Sequence, residues 1–247
     1  MADKESATTS EQARRVRAMF ATIAARYDLL NHLLSGNIDR RWRRLVAETL
    51  SVILANGEAQ VLDVACGTGD LSLTLSQSGK ARILGLDFCR PMLEIAALKA
   101  SKFGASKVGF LLPFVEADAL ALPFADRSFE AATIAFGLRN LASVETGLNE
   151  LLRVLKPGGR LAVLEFSKPR MPLLRCLFRV YFEKLLPLLG GLISGSKSAY
   201  QYLPDSVSRF PDQNELSNLM IGAGFEDVSF RNLTGGIAAL HLGTRPL

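Results

Sequence analysis

Between Gln60 and Phe166, short apolar runs alternate with stretches whose apolar residues recur at helical spacing. That alternation predicts a parallel sheet, because successive parallel strands need a helix-length return. Strands are expected from Gln60 through Leu62-Asp63-Val64, over residues 81–87, near Val115, over 129–136 and over 160–166. A helix over 145–155 is ended by Lys156-Pro157-Gly158-Gly159. Helices near residues 10–25, 27–35 and 38–55 precede this core. A helix over 212–223, stopped by Gly224, and strands near 227–232 and 237–244 follow it.

A chain of 247 residues with 49% apolar composition can bury one substantial core, so a single α/β domain over residues 11–247 is expected. Residues 1–10 are polar, include Asp3 and Glu5 and lack an apolar run, which excludes a secretory signal and predicts a disordered start. The net charge is +5, and basic residues gather at Arg14-Arg15-Val16-Arg17, at Arg40-Arg41-Trp42-Arg43-Arg44 and over residues 168–179. Such clusters suit anionic surfaces or ordinary solvated helix faces, and they lack the aromatic interleaving of a nucleic-acid surface. Cys66, Cys89 and Cys176 have no metal-ligand or redox-pair spacing, which fits a reducing cytoplasm. Residues 171–193 are apolar, but Arg175, Arg179, Glu183 and Lys184 interrupt them and Pro187 with Gly190-Gly191 breaks them. No bilayer span is expected there. The apolar face that includes Leu173, Leu177, Phe178 and Tyr181 suits a lid over a pocket, an interfacial helix or core packing.

The chemistry concentrates in the run Leu62-Asp63-Val64-Ala65-Cys66-Gly67-Thr68-Gly69-Asp70-Leu71-Ser72-Leu73, a buried strand entering a glycine turn that opens a helix. Gly67 and Gly69 remove Cβ where the backbone turns and approaches a ligand, and the helix start offers unpaired N–H donors. Asp63 can accept from a cationic ammonium. A dinucleotide fingerprint would carry glycine where this chain has Ser72, so S-adenosylmethionine is favoured over a pyrophosphate cofactor. Asp87 ends the second strand about twenty residues on, where a carboxylate grips ribose hydroxyls; capping of the next helix is its bland alternative. Asp118 and the Ala119 amide stand at a third strand end, suited to an adenine edge.

Together with Lys156-Pro157-Gly158-Gly159, these features resemble the Rossmann-like S-adenosylmethionine-dependent methyltransferases. Three further stretches are more specific: Tyr27-Asp28-Leu29-Leu30-Asn31-His32-Leu33-Leu34-Ser35-Gly36 leading to Trp42, Ala135-Phe136-Gly137-Leu138-Arg139-Asn140, and Arg153 to Gly159 running into Leu164-Glu165-Phe166-Ser167-Lys168-Pro169. With Tyr200-Gln201-Tyr202-Leu203-Pro204-Asp205-Ser206, Phe210-Pro211 and Gly235-Gly236-Ile237-Ala238-Ala239-Leu240-His241, they resemble the ubiquinone/menaquinone biosynthesis C-methyltransferases over nearly the whole chain after Arg14. That resemblance implies a seven-stranded, mostly parallel sheet with helices on both faces and the last strand antiparallel. A helical lid over 11–56 and a helical insertion over 167–199 are expected around it. Three positions depart from the family's pattern: Asn37-Ile38-Asp39-Arg40 stands where a glycine, a hydrophobic residue, a histidine and an arginine are usual, Leu30 replaces a methionine, and Ala135 replaces a serine that often lines the cofactor pocket.

The resemblance implies methyl transfer from S-adenosylmethionine, without a metal, to a ring carbon of a prenylated quinol. Demethylmenaquinol is the first expectation; a ubiquinone-pathway benzoquinol, or another small-molecule acceptor, is the alternative. Expected cofactor contacts are Asp63, Gly67, Thr68, Gly69, Asp87, Phe88, Met92, Asp118, Ala119 and Ala135. Arg139, after the fourth strand, is the candidate for stabilising a phenolate, with an ion pair to a neighbouring helix carboxylate as the plain alternative. Asn140 would orient a hydroxyl or a water, while Tyr27, Asp28 and Asn31 would fold over the cofactor, with Asp28 or His32 passing a proton to water. His241, on an alternating strand, is either pocket-facing or core. A nucleic-acid methyltransferase would carry a different motif in place of Phe136 to Asn140, and a degenerate binding module would have lost Gly67, Gly69 or Asp87. A prenyl tail implies peripheral contact with the inner face of the cell membrane; a homodimer is also allowed for.

Overall fold

The computed structural model describes residues 2–104, 112–169 and 197–247. The apolar stretch of residues 171–193, with the lid or membrane role expected of it, lies outside the described residues. So does the start of the stretch leading to the third strand. Three helices come first, α1 (Ala2–Leu34), α2 (Ile38–Thr49) and α3 (Ser51–Ala55). The alternating core follows: β1 (Gln60–Val64), α4 (Asp70–Gln77), β2 (Arg82–Asp87), α5 (Arg90–Gly104), β3 (Phe114–Glu116), β4 (Phe129–Ala135), α6 (Val144–Val154) and β5 (Leu155–Phe166). The chain closes with α7 (Lys197–Arg209), α8 (Gln213–Gly222), β6 (Glu226–Leu233) and β7 (Ala238–Thr244).

Seven strands form one sheet in the order β3-β2-β1-β4-β5-β7-β6. Pairing is parallel from β3 to β5, and β7 runs antiparallel between β5 and β6. This is the mostly parallel sheet expected, with its last strand reversed. Its central strands β1, β4 and β5 are largely buried on both faces, and the period of two sorts them. Leu62, Val64, Ala132, Ile134, Leu161 and Val163 pack towards α6 and α8. Val61, Ala131, Ala162 and Leu164 pack on the other face, with Trp42 and Val46 of α2, Leu50 just after it, and Leu71 and Leu75 of α4. The order reverses between β2 and β4 on either side of β1, so the carboxyl ends of β1, β2 and β4 open a crevice.

Three element boundaries differ from the sequence-based expectation. Helix α1 runs without the break expected near residue 26; no proline or glycine interrupts residues 2–34, and Val16, Ile23 and Ala24 form a buried stripe. The helix expected over 38–55 is divided at Leu50. Strand β5 begins at Leu155 rather than Arg160, because Pro157 to Gly159 bulge out of the ladder and pair with the chain end, Gly158 N–H donating to the Arg245 carbonyl (2.9 Å) and Arg245 N–H to that of Gly159 (2.9 Å).

The corner between α1 and α2 explains one departure from the family's pattern. Asn37 has φ 62°, a left-handed conformation that glycine adopts freely and asparagine tolerates. We expect Asn37→Gly to leave stability within about 0.5 kcal/mol and Asn37→Val to cost about 1–2 kcal/mol. Urea unfolding of the two variants checks this; equal stability of all three proteins would contradict it.

Candidate active site

Strand β1 delivers Asp63 to the face that meets α4. The carboxylate is 1% exposed and accepts from Ser72 Oγ (2.5 Å) and from Thr133 Oγ1 (2.8 Å), Thr133 being its register partner on β4. Burial pushes its pKa up to about 6 against those two hydrogen bonds. After Val64 the chain turns through Ala65 (φ 51°), Gly67 (φ 55°) and Gly69 (φ 77°) into α4. A Cβ on Gly67 would enter open space, which leaves the cradle floor bare backbone. Phe136, directly after β4, is also left-handed (φ 57°), and a Cβ on Gly137 would stand 2.5 Å from that of Ala65. The two turns therefore close on each other only because residue 137 is glycine.

Above these turns lies a cavity of about 380 Å³, within the usual range of small-molecule sites, roughly 300–1,000 Å³. Asp87 lines it, its oxygens accepting from Gly67 N–H (2.8 Å) and Cys89 N–H (2.9 Å), with its pKa raised by burial. Phe88, Met92, Asp118, Ala119 and Leu120 line it too, as do Tyr27, Arg43, Asp63, Thr68 and Asp70. Apolar walls come from Phe20, Leu71, Phe136 and Leu141. The bare Gly67 cradle and a carboxylate held by backbone amides fit an adenosyl ligand: each Asp87 oxygen keeps a second lone pair for a diol.

The helical front is fastened to the cradle by a chain of charges. Asp28 accepts from Thr68 Oγ1 and from Lys99 Nζ (2.8 Å), and Lys99 also binds Asp70. His32 stands between two carboxylates, Nδ1 2.8 Å from Asp39 and Nε2 3.4 Å from Asp70. Asp39 takes further bonds from Ser35 Oγ (2.7 Å) and Arg43, which hold its pKa below the usual carboxylate range despite burial. His32, Asp39 and Asp70 are metal-ligating residue types within 4.8 Å of one another. Protein cations already engage both carboxylates, Arg43 and Lys99. Asp28 is thus a clamp rather than a free base, and Asn31 hydrogen-bonds Tyr27, whose pKa burial raises.

Asn140 lines the cavity from a single 3-10 turn, Leu138–Asn140. Its Oδ1 accepts from Tyr202 Oη (3.0 Å) of α7, and its Nδ2 donates to the Phe136 carbonyl (3.3 Å). Arg139 turns away from the cavity. Its Nη1 donates to Glu165 (2.8 Å) and to the Phe136 carbonyl (2.5 Å), and its guanidinium lies 5.4 Å from the Phe166 ring centroid. Both charged side chains are buried, at 5% and 2% exposure. Arg139 is thus ion-paired, but with Glu165 of strand β5 and not with the helix carboxylate that the plain alternative named. His241 is a core residue, facing α8 with Nε2 2.9 Å from the Gln213 carbonyl and its ring against Phe230, and burial lowers its pKa.

Residues 7–245 match the ubiE/COQ5 methyltransferase family. The chain belongs to that family. As a member it is an S-adenosylmethionine-dependent C-methyltransferase. It is 51% identical over 229 residues to a demethylmenaquinone methyltransferase of Thermus thermophilus, covering 92% of this chain and 100% of that protein. It is 46% identical over 238 residues to a Geobacter ubiquinone/menaquinone biosynthesis C-methyltransferase UbiE, covering 96% and 98%. Among solved structures, an S-adenosylmethionine-dependent methyltransferase of Thermotoga maritima, titled a possible histamine N-methyltransferase, superposes with a TM-score of 0.63 at 21% identity over 93% of this chain and 99% of that one, a likeness of fold.

Of the candidates drawn from the ubiE/COQ5 resemblance, Tyr27, Asp63, Gly67, Thr68, Asp87, Phe88, Met92, Asp118, Ala119, Ala135 and Asn140 line one cavity. Gly69, Asp28, Asn31 and Arg139 stand behind its wall. Arg43 went unrecognised inside a run of four arginines, although Asp39, Trp42, Arg43, Val46 and Ala47 share the buried face of α2.

The Asp63 pKa has a consequence for stability. An unfolded carboxylate titrates near 3.8 and the folded one near 6, so the folded protein holds the extra proton between those values. Stability contributed by this site falls as pH rises from 4 to 6, by about 3 kcal/mol in all. Urea unfolding of the wild type and Asp63→Asn from pH 4 to 7 should show the variant gaining by about that amount; a pH-independent difference would refute the assignment.

Proposed function

We propose that this protein transfers a methyl group to a ring carbon of a prenylated naphthoquinol, converting a demethylmenaquinol into a menaquinol. The carrying observation is the cavity at the sheet's switch point, lined by both Asp87 and Asn140. The name of the Thermus relative, matched along its whole length, supports the naphthoquinol. The Geobacter relative's name spans both quinones, so the benzoquinol is the second reading.

The donor, when bound, supplies a methyl group already activated on a cationic sulfur. What the chain must add is orientation, dryness and an electron-rich carbon in the acceptor. Asp87 would take the ribose hydroxyls, and Asp118 with Ala119 the adenine edge. Phe20, Leu71 and Phe136 keep water from the reacting atoms. Loss of a quinol hydroxyl proton to solvent pushes charge onto the ortho carbon, so a donor to that oxygen lowers the barrier. As the carbon–methyl bond forms, the sulfur–methyl bond would break with its electron pair left on sulfur, and release of the ring-carbon proton to solvent would restore the aromatic quinol. Asn140 is suited to this: Tyr202 and the Phe136 carbonyl fix its amide and leave one Nδ2–H for the acceptor. Arg139, paired to Glu165, would position this turn, and Tyr27, held protonated by burial, would donate rather than act as a base.

A prenyl tail partitions into the bilayer, so the enzyme is proposed to work on the cytoplasmic face of a membrane. Among the described residues no helix is long and apolar enough to cross one. Arg40, Arg41 and Arg44 are exposed on α2, and each such cation contributes on the order of 1 kcal/mol beside anionic lipid.

With labelled S-adenosylmethionine and short-tailed acceptors, we expect label on reduced demethylmenaquinol and none on its oxidised form. Asn140→Ala should lower kcat by about 10²–10³-fold, while Tyr202→Phe, which only frees the amide, should cost about 10-fold. Label on the benzoquinol alone would move the protein to the ubiquinone branch. No label on either, with cofactor bound, would overturn the quinol reading.

A further inference from the structure

The cavity wall carries four carboxylates, Asp63, Asp70, Asp87 and Asp118, and among the described residues a single cation, Arg43. This asymmetry matters for the ligand that the proposed function requires. S-adenosylmethionine carries two positive groups, the sulfonium and the α-ammonium, and one negative group, the α-carboxylate. Acidic walls can answer the first two. The carboxylate needs a cation, or it is stranded among like charges in a dry pocket.

Arg43 meets that need by position and by spare bonding capacity. It lines the cavity from α2 at 8% exposure, near Asp70 at the start of α4 and close enough to Asp63 to act on its charge. Its Nη1 binds Asp39 and lies 3.9 Å from Asp70, and its guanidinium sits 5.7 Å from the Phe136 ring centroid, which holds the plane in place. A guanidinium has five N–H donors in a fixed fork, so engagement through Nη1 leaves others for a second carboxylate. We propose that Arg43 binds the α-carboxylate of S-adenosylmethionine and makes the site selective for the amino-acid end of the cofactor. The inference rests on the proposed use of that cofactor. Asp39, buried and tied to His32 and Ser35, positions the guanidinium.

The test is calorimetric binding of S-adenosylmethionine and of its decarboxylated analogue to the full chain, which needs no turnover. Wild type should favour the carboxylate-bearing ligand by about 10- to 100-fold, the worth of a charge-assisted hydrogen bond. In Arg43→Met that preference should fall to within about 3-fold, through weaker binding of S-adenosylmethionine alone, and Arg43→Lys should retain part of it. Because Arg43→Met strands the buried Asp39 charge, the double variant Asp39→Asn/Arg43→Met carries the same expectation if the single one does not fold. Equal weakening of both ligands, or a preference that survives the substitutions, would overturn the assignment and leave Arg43 a scaffold residue. Equal affinity of wild type for both ligands would overturn it too. Failure of wild type to bind either would instead overturn the proposed use of the cofactor, and this inference with it.

Discussion

A carboxylate kept dry inside the sheet holds the catalytic end of this molecule together. Asp63 has no solvent to satisfy it, so its two oxygens must be met from within, and they are met by hydroxyls on two different elements, Ser72 of α4 and Thr133 of β4. That arrangement fixes the first turn of α4 against the switch strand and fixes β1 against β4 at the level where both strands end. The cradle turn and the Phe136 turn inherit their separation from it. Their close approach, across Ala65 and Gly137, is possible only when that separation is right. An apolar side chain of the same volume would leave two buried hydroxyls without an acceptor, a cost of about 1–3 kcal/mol each.

The helical front depends on a second arrangement of the same kind, built from alternating charges. Asp28, Lys99, Asp70, His32, Asp39 and Arg43 form an unbroken chain across α1, α5, α4 and α2. These groups are partly buried, so each charge is costly alone and tolerable only with its neighbour. The front is thereby held to the cradle by contacts that share partners, and displacing one helix would strand charges on another. Trp42 adds an apolar seal, its ring tilted against that of Phe136 at 6.0 Å between centroids and its indole bonded to Thr234.

What the sequence displays plainly is whatever is local. The run from Leu62 to Leu73 carries strand, turn and helix start within twelve residues, and Asp87 and Asp118 stand at strand ends that the apolar runs mark. Arg139 was harder because its partner, Glu165, lies 26 residues away and meets it only through the pairing of β4 with β5. The strand alternation at His241 left two faces open, and only α8 decides which is covered. Arg43 was hidden by composition: four arginines around one tryptophan resemble a solvated face, and the helical period separates Arg43 from Arg40, Arg41 and Arg44 only once Trp42 is known to be buried. Asp39 is the most informative of these. It occupies the position of a family histidine, and its carboxylate is what both His32 and Arg43 bind.

The electrostatic layout also suits the charge change that the proposed reaction makes. A cationic donor and an anionic acceptor become two neutral products, so charge is smaller in the transition state than in the reactants. A wall of unpaired ions would stabilise the reactants more than the transition state and slow the step. Near the acceptor side, the arrangement avoids this: the Arg139 charge is spent on Glu165 behind the wall, and what faces the cavity is the neutral amide of Asn140. In the proposed reading, Asp87 and Arg43 would meet parts of the cofactor that do not react. Charge directed at those parts would hold the donor tightly without deepening the well from which the methyl group must leave.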